Sequence, residues 1–223
     1  MGEKLTLHAE DGGKLAAYRA TPAGTPRGGL VVVQEIFGVN AHIRRVCDGF
    51  AADGYVALAP ALFDRVEPGY ETGYGQEDIE RGRNVRQKLG WDLMVTDTRA
   101  AVEALKKSGL KVGVVGYCMG GSMAWLAATR ISDVAAAVGY YGGAVAEFAD
   151  ESPRCPVLLH FGETDASIPR EHWDRIREAQ PTIPMHIYPA GHGFNCDARG
   201  SYHAPSAKLA RERTLALFRK YLG

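Results

Sequence analysis

Val112-Gly113-Val114-Val115-Gly116-Tyr117-Cys118-Met119-Gly120-Gly121 decides the fold. The valine-rich run reads as a strand covered on both faces. The residues from Cys118 to Arg130 read as a helix. Between them lies G-x-C-x-G, the cysteine form of the nucleophile elbow. Its glycines have a mechanical task, because the turn is too sharp for a Cβ two residues before or after the nucleophile. The turn lifts Cys118 above the sheet and sets it at a helix N-terminus, where the positive end of the dipole favours a thiolate. The alternative is a buried cysteine in a phosphate-binding turn. The absence of a G-x-x-x-x-G-K-[ST] run speaks against it.

Outward from this turn, strand and helix signals alternate. Leu5 to Leu7 and Leu15 to Arg19 flank Asp11-Gly12-Gly13 and predict a hairpin. Strands are expected at Leu30–Gln34, Tyr55–Ala59, Val112–Val115, Ala135–Tyr140, Val157–Phe161 and Met185–Tyr188. Helices are expected at Ala41–Ala52, Glu77–Leu89, Trp91–Ser108, Cys118–Arg130, after Pro169, and at Ala204–Tyr221. The order predicts a doubly wound α/β fold, with a mostly parallel sheet and helices on both faces. The chain of 223 residues fits one such domain, with an excursion loop and helix at about 60–90.

Composition narrows the function. Lys plus Arg and Asp plus Glu number 26 each, so no net charge draws the chain to nucleic acid or an anionic membrane. An anionic substrate needs only one or two placed arginines and stays open. No signal peptide is visible at the N-terminus, and no apolar run approaches the roughly 20 residues of a membrane span. The four cysteines, Cys47, Cys118, Cys155 and Cys196, form no C-x-x-C pair and fit no zinc spacing. A reducing cytoplasm is expected, with no metal or organic cofactor and a monomer or homodimer as the assembly.

Two loops supply partners for Cys118. Gly162-Glu163-Thr164-Asp165-Ala166-Ser167-Ile168-Pro169 follows a strand, where open α/β sheets build their sites. Asp165 there would accept a hydrogen bond from a histidine and fix its tautomer. Glu163 is its rival, and a helix N-cap is the structural alternative. Ala190-Gly191-His192-Gly193-Phe194 follows the last strand, and its glycines let His192 approach the nucleophile. The order nucleophile, acid, histidine is that of α/β-hydrolases. Glu35, at the end of a buried apolar strand, needs a partner. That partner is either functional or an arginine in a salt bridge.

These segments resemble the dienelactone hydrolase (carboxymethylenebutenolidase) family. The resemblance rests on Gln34-Glu35-Ile36-Phe37-Gly38-Val39-Asn40, Gly116-Tyr117-Cys118-Met119-Gly120-Gly121, Gly139-Tyr140-Tyr141-Gly142, the Asp165 loop, Gly191-His192-Gly193-Phe194 and Glu212-Arg213-Thr214-Leu215. It implies a cysteine-nucleophile hydrolase that opens a lactone or small ester through a thioester, as in the conversion of dienelactone to maleylacetate. It implies that Glu35 hydrogen-bonds the resting thiol and takes its proton when substrate binds. It also implies an oxyanion hole made by the backbone N–H groups of Ile36 and Met119. Two arginines bind the substrate carboxylate in this family. One falls in Glu80-Arg81-Gly82-Arg83, with Arg83 the better match and Arg81 the alternative. The other falls at Cys196, a departure for which Arg199 is a candidate substitute. Phe37 is the aromatic expected to line the pocket. Two other readings stand beside this one. They are a broad carboxylesterase or thioesterase on the same triad, and a non-enzymatic redox-sensing or ligand-binding module.

Overall fold

The computed structural model describes residues 2–223. A hairpin of β1 (Glu3–His8) and β2 (Lys14–Ala20) opens the chain. Gly12, at φ 86°, makes its turn, and the Gly13 amide donates to Asp11 Oδ1 at 3.0 Å. Then come β3 (Gly28–Val33), α1 (Ala41–Ala52), β4 (Tyr55–Pro60), α2 (Gln76–Gln87), α3 (Trp91–Lys107), β5 (Val112–Tyr117) and α4 (Met119–Arg130). The chain closes with β6 (Val134–Tyr140), β7 (Val157–Gly162), α5 (Arg170–Ala179), β8 (Met185–Tyr188) and α6 (Ala204–Tyr221). One eight-stranded sheet holds them in the order β1-β2-β4-β3-β5-β6-β7-β8. From β4 to β8 every pairing is parallel, and only β2 runs the other way, antiparallel to both β1 and β4. This is the α/β-hydrolase fold.

Both faces of the sheet are covered, which is why its central strands carry unbroken apolar runs. Two adjacent glycines in β3 show it directly. A Cβ on Gly28 would press on Leu222, just past α6, and one on Gly29 would press on Leu105 of α3. α1 and α6 meet through Phe50 and Phe218, whose ring centroids are 6.3 Å apart. α3 packs against α4. No helix of the described residues is long and apolar enough to cross a membrane.

The excursion at 60–90 is tied down. Arg65, in a 3₁₀ turn at Leu62–Arg65, reaches the fully buried Asp97 of α3 with contacts of 2.6–3.1 Å. It also bonds Asp11 of the hairpin at 2.8 Å. Removing one partner of so buried a pair typically costs about 3–5 kcal/mol. Further along, the Thr72 amide donates to the Phe37 carbonyl at 3.1 Å, fixing the excursion to the loop after β3. α2 begins at Gln76, one residue before the expected start. The Gly75 amide there donates to Asp78 Oδ2 at 3.0 Å. α2 then rests directly on the loop after β3. A Cβ on Gly82 would lie 2.5 Å from the Ile36 carbonyl oxygen, so only glycine permits this approach.

Candidate active site

Four loops leave the C-terminal ends of parallel strands and converge, as open α/β sheets require. They carry Glu35 after β3, Cys118 after β5, Asp165 after β7 and His192 after β8. The elbow is tighter than a helix start. Cys118 is the N-cap of α4 rather than its first residue, with φ 56° and ψ −117°. A non-glycine residue there is strained by about 1–3 kcal/mol, and such strain concentrates at active sites. Neighbouring glycines make the strain tolerable. A Cβ on Gly116 would collide with the Gly120 carbonyl, and one on Gly120 with the Val33 carbonyl. A Cβ on Gly121 would collide with the Tyr140 carbonyl.

Asp165 is buried and fully used. Its Oδ2 lies 2.6 Å from His192 Nδ1, and its Oδ1 accepts the Ser167 amide at 2.8 Å. The rival Glu163 is exposed. The N-cap alternative also fails, because Pro169 caps α5. With Nδ1 committed to Asp165, Nε2 is the nitrogen left for chemistry. His192 and Cys118 line the same cavity, and the Tyr141 ring packs 5.1 Å from the imidazole. Tyr141 also has positive φ, 39°, and was not singled out in the sequence.

The electrostatics of His192 are decided by its partners. Burial is the largest single influence and pushes its pKa down. The charge of Cys118 and the hydrogen bond to Asp165 together outweigh burial and raise it to about 10. A raised histidine pKa stabilises the fold fully below the ordinary value near 6.5. That contribution fades as pH rises through about 10. An NMR titration of the His192 ring is expected to show this high value in the wild type. In Cys118→Ala the value falls, since burial then meets less opposition. An unchanged titration would mean that the thiol does not face the ring.

The cavity holds about 340 Å³, a small-molecule volume. Ile36, Phe37 and Met119 line it, next to Cys118. Met119 is the first residue of α4, so its amide has no acceptor within the helix. The Ile36 amide donates to no backbone acceptor among the described residues.

Arg83 lines the cavity and forms no ion pair among the described residues. Arg81 does not reach it. That alternative is corrected: Arg81 is half exposed, ion-pairs with Glu67 and lies 5.1 Å over the Tyr70 ring. The cause is helical phase, since residues two apart point about 200° apart around the axis. Arg199, the candidate substitute for the second arginine, also lines it, as does Arg86, for which the sequence suggests no such place. Arg86 stacks 3.9 Å over Trp91, another lining residue.

Glu35 differs from its expected role. It is fully buried, but it makes no hydrogen bond to Cys118 among the described residues. Its Oε1 instead lies 3.4 Å from Arg199 Nη1, the salt-bridge alternative. A carboxylate without solvent needs a counter-charge, and a guanidinium supplies more than a thiol. Arg199 gets there through successive turns, with the Cys196 amide on the Gly193 carbonyl and the Arg199 amide on the Cys196 carbonyl. Gly193, at φ 77°, leaves space that a Cβ would take from the guanidinium.

Comparison with known proteins gives the family. The dienelactone hydrolase family model matches residues 15–222. The chain belongs to the dienelactone hydrolase family. A carboxymethylenebutenolidase of Pseudomonas putida is 36% identical over 227 residues, covering 96% of this chain and 94% of its own. One from Pseudomonas knackmussii matches to the same extent. The crystal structure of a "Putative Dienelactone Hydrolase" from Klebsiella pneumoniae superposes with a TM-score of 0.89 at 31% identity, over 99% of both chains. This member of the dienelactone hydrolase family is accordingly a hydrolase, which removes the non-enzymatic reading.

Proposed function

We propose that the protein opens a small lactone or ester through a thioester on Cys118, with carboxymethylenebutenolidase chemistry as the best reading. The observation that carries it is the Asp165–His192 hydrogen bond of 2.6 Å, in one cavity with a cysteine held on a strained elbow. His192 Nε2 takes the thiol proton, and the thiolate attacks the ester carbonyl. The amides of Ile36 and Met119 receive the oxyanion, each donor worth about 2.7–4 kcal/mol in the transition state. The alkoxide leaves, taking the proton from His192. The same imidazole then activates water to cleave the thioester, and Asp165 keeps it oriented throughout. Glu35 acts through Arg199, holding that guanidinium at the cavity wall.

Arg83, Arg86 and Arg199 give the cavity a positive lining, which favours an anionic substrate. Arg83 has no competing acid. Arg83→Ala is therefore expected to raise KM about tenfold or more for cyclic dienelactone while leaving kcat near wild type. A neutral p-nitrophenyl ester should show no such change. Equal effects on both substrates would remove Arg83 from carboxylate recognition.

A broad carboxylesterase is the second reading. It is favoured by Cys196 standing where the resemblance places the second arginine. Comparing kcat/KM for cyclic dienelactone with a panel of neutral p-nitrophenyl esters separates the two. A preference for the lactone supports the first, and a flat profile the second.

A further inference from the structure

Beside Arg199, which lines the cavity, three side chains from three separate segments converge. Glu35 follows β3, His42 sits in the first turn of α1, and Cys196 lies in the loop after His192. One donor atom from each lies within 4.8 Å of the others, and all three residues are buried, at 0%, 4% and 0% exposure. We propose that Glu35, His42 and Cys196 form a binding site for a borderline-soft divalent cation of the zinc class.

Two buried atoms already point to a ligand. Glu35 Oε2 and His42 Nε2 have no hydrogen-bond partner among the described residues. Leaving a buried polar atom unpaired typically costs about 1–3 kcal/mol, so two at one place, beside a thiol, ask for a common partner. The histidine is prepared for that role. Its Nδ1 faces Asp197 Oδ1 at 3.1 Å, and Arg45 holds the same carboxylate oxygen at 2.8 Å. A carboxylate on Nδ1–H leaves the lone pair on Nε2, the arrangement that orients metal-binding histidines.

The donor set selects the cation. Thiolate, imidazole and carboxylate together suit zinc, whereas calcium and magnesium take oxygen. Bonds of about 2.0–2.3 Å at tetrahedral angles put donors roughly 3.3–3.8 Å apart, so the side chains close by about 1 Å. Oε2 binds the cation while Oε1 stays with Arg199. The Cys196 thiol loses its proton to solvent, and the thiolate and the Glu35 carboxylate reduce the charge of the cation and Arg199 together to a single positive one. Tyr74, whose hydroxyl accepts from Asn40 Nδ2 at 3.1 Å and neighbours Cys196, borders the remaining side. His42 and Tyr74 also line a surface cleft that shares no lining residue with the catalytic cavity, which supplies an entry path. The sequence hid this site because its ligands share no spacing motif.

The test avoids the catalytic thiol altogether, so its outcome is independent of the catalytic reading. Cys118→Ala protein is titrated with Co²⁺ under anaerobic, reducing-agent-free conditions. The expected result is one cation per chain, a thiolate-to-cobalt charge-transfer band with intense four-coordinate visible bands, and displacement by Zn²⁺. A second change, Cys196→Ala, abolishes the charge-transfer band. Asp197→Asn, at a surface carboxylate, weakens binding about 10–100-fold, and this arm decides the matter if the Cys196 variant does not fold. No charge-transfer band in Cys118→Ala overturns the proposal. So does a band that survives both further changes, which would place the cation on Cys47 or Cys155.

Discussion

Cys118→Ala is expected to lower kcat by about 10⁵–10⁶-fold while leaving a folded protein. The large loss follows because the thioester cannot form, and neither His192 nor the oxyanion amides supply another nucleophile. Some rate above that in water should remain from binding and the two amides. The fold survives for a local reason: the Cys118 side chain makes no capping hydrogen bond to α4, so its removal strips nothing from the helix. The strain at φ 56° gives a second, opposite-signed expectation. Cys118→Gly should be equally inactive but more stable than Cys118→Ala by about 1–3 kcal/mol, because glycine meets no Cβ penalty there. Chemical denaturation of the two variants reads that difference. Equal stabilities would mean that the elbow relaxes freely.

Asp165→Asn is expected to cost about 10⁴-fold in kcat with little change in KM. The size alone would not identify the cause, but the geometry does. Asp165 accepts from both His192 Nδ1 and the Ser167 amide, so an asparagine can keep the Ser167 bond through its carbonyl. Its NH₂ then faces Nδ1, moves the histidine proton to Nε2, and leaves no lone pair for the thiol. The charge of Asp165 is also one of the causes that raise His192. Its loss should shift the alkaline-favoured limb of the pH–rate profile to lower pH. A variant with near wild-type kcat would show that His192 is oriented by something else.

The sheet was legible because its strands are buried on both faces. Val31 to Val33 and Val112 to Val115 are continuous runs without a polar side chain, Val157 to Phe161 is broken only by His160, and the elements stand within a few residues of their expected places. The triad was legible for a related reason. Each member sits just past a strand end, in a loop whose composition announces a turn. Boundaries and partners were harder. The 3₁₀ stretch at Gly143–Phe148 has no periodicity long enough to read. Cys118 read as the start of a helix because sequence cannot show a positive φ at a cysteine. Arg199 lay too far along an irregular loop for its path to be drawn, so the salt-bridge alternative for Glu35 named no particular arginine. Gly82 carries no signal of its own in the sequence, yet it is where α2 meets the Ile36 carbonyl. At Glu35 and at Gly82 the deciding contact joins segments distant in the chain, and local pattern carries no record of it.

The most direct test is to stop turnover of a slow ester in acid and measure the intact mass, then map any adduct by peptide fragmentation. An acyl group on the peptide carrying Cys118, labile to hydroxylamine and absent from Cys118→Ala, is the predicted result. An acyl group on any other residue would contradict it, as would full turnover with ¹⁸O-water labelling but no adduct under conditions where deacylation limits the rate.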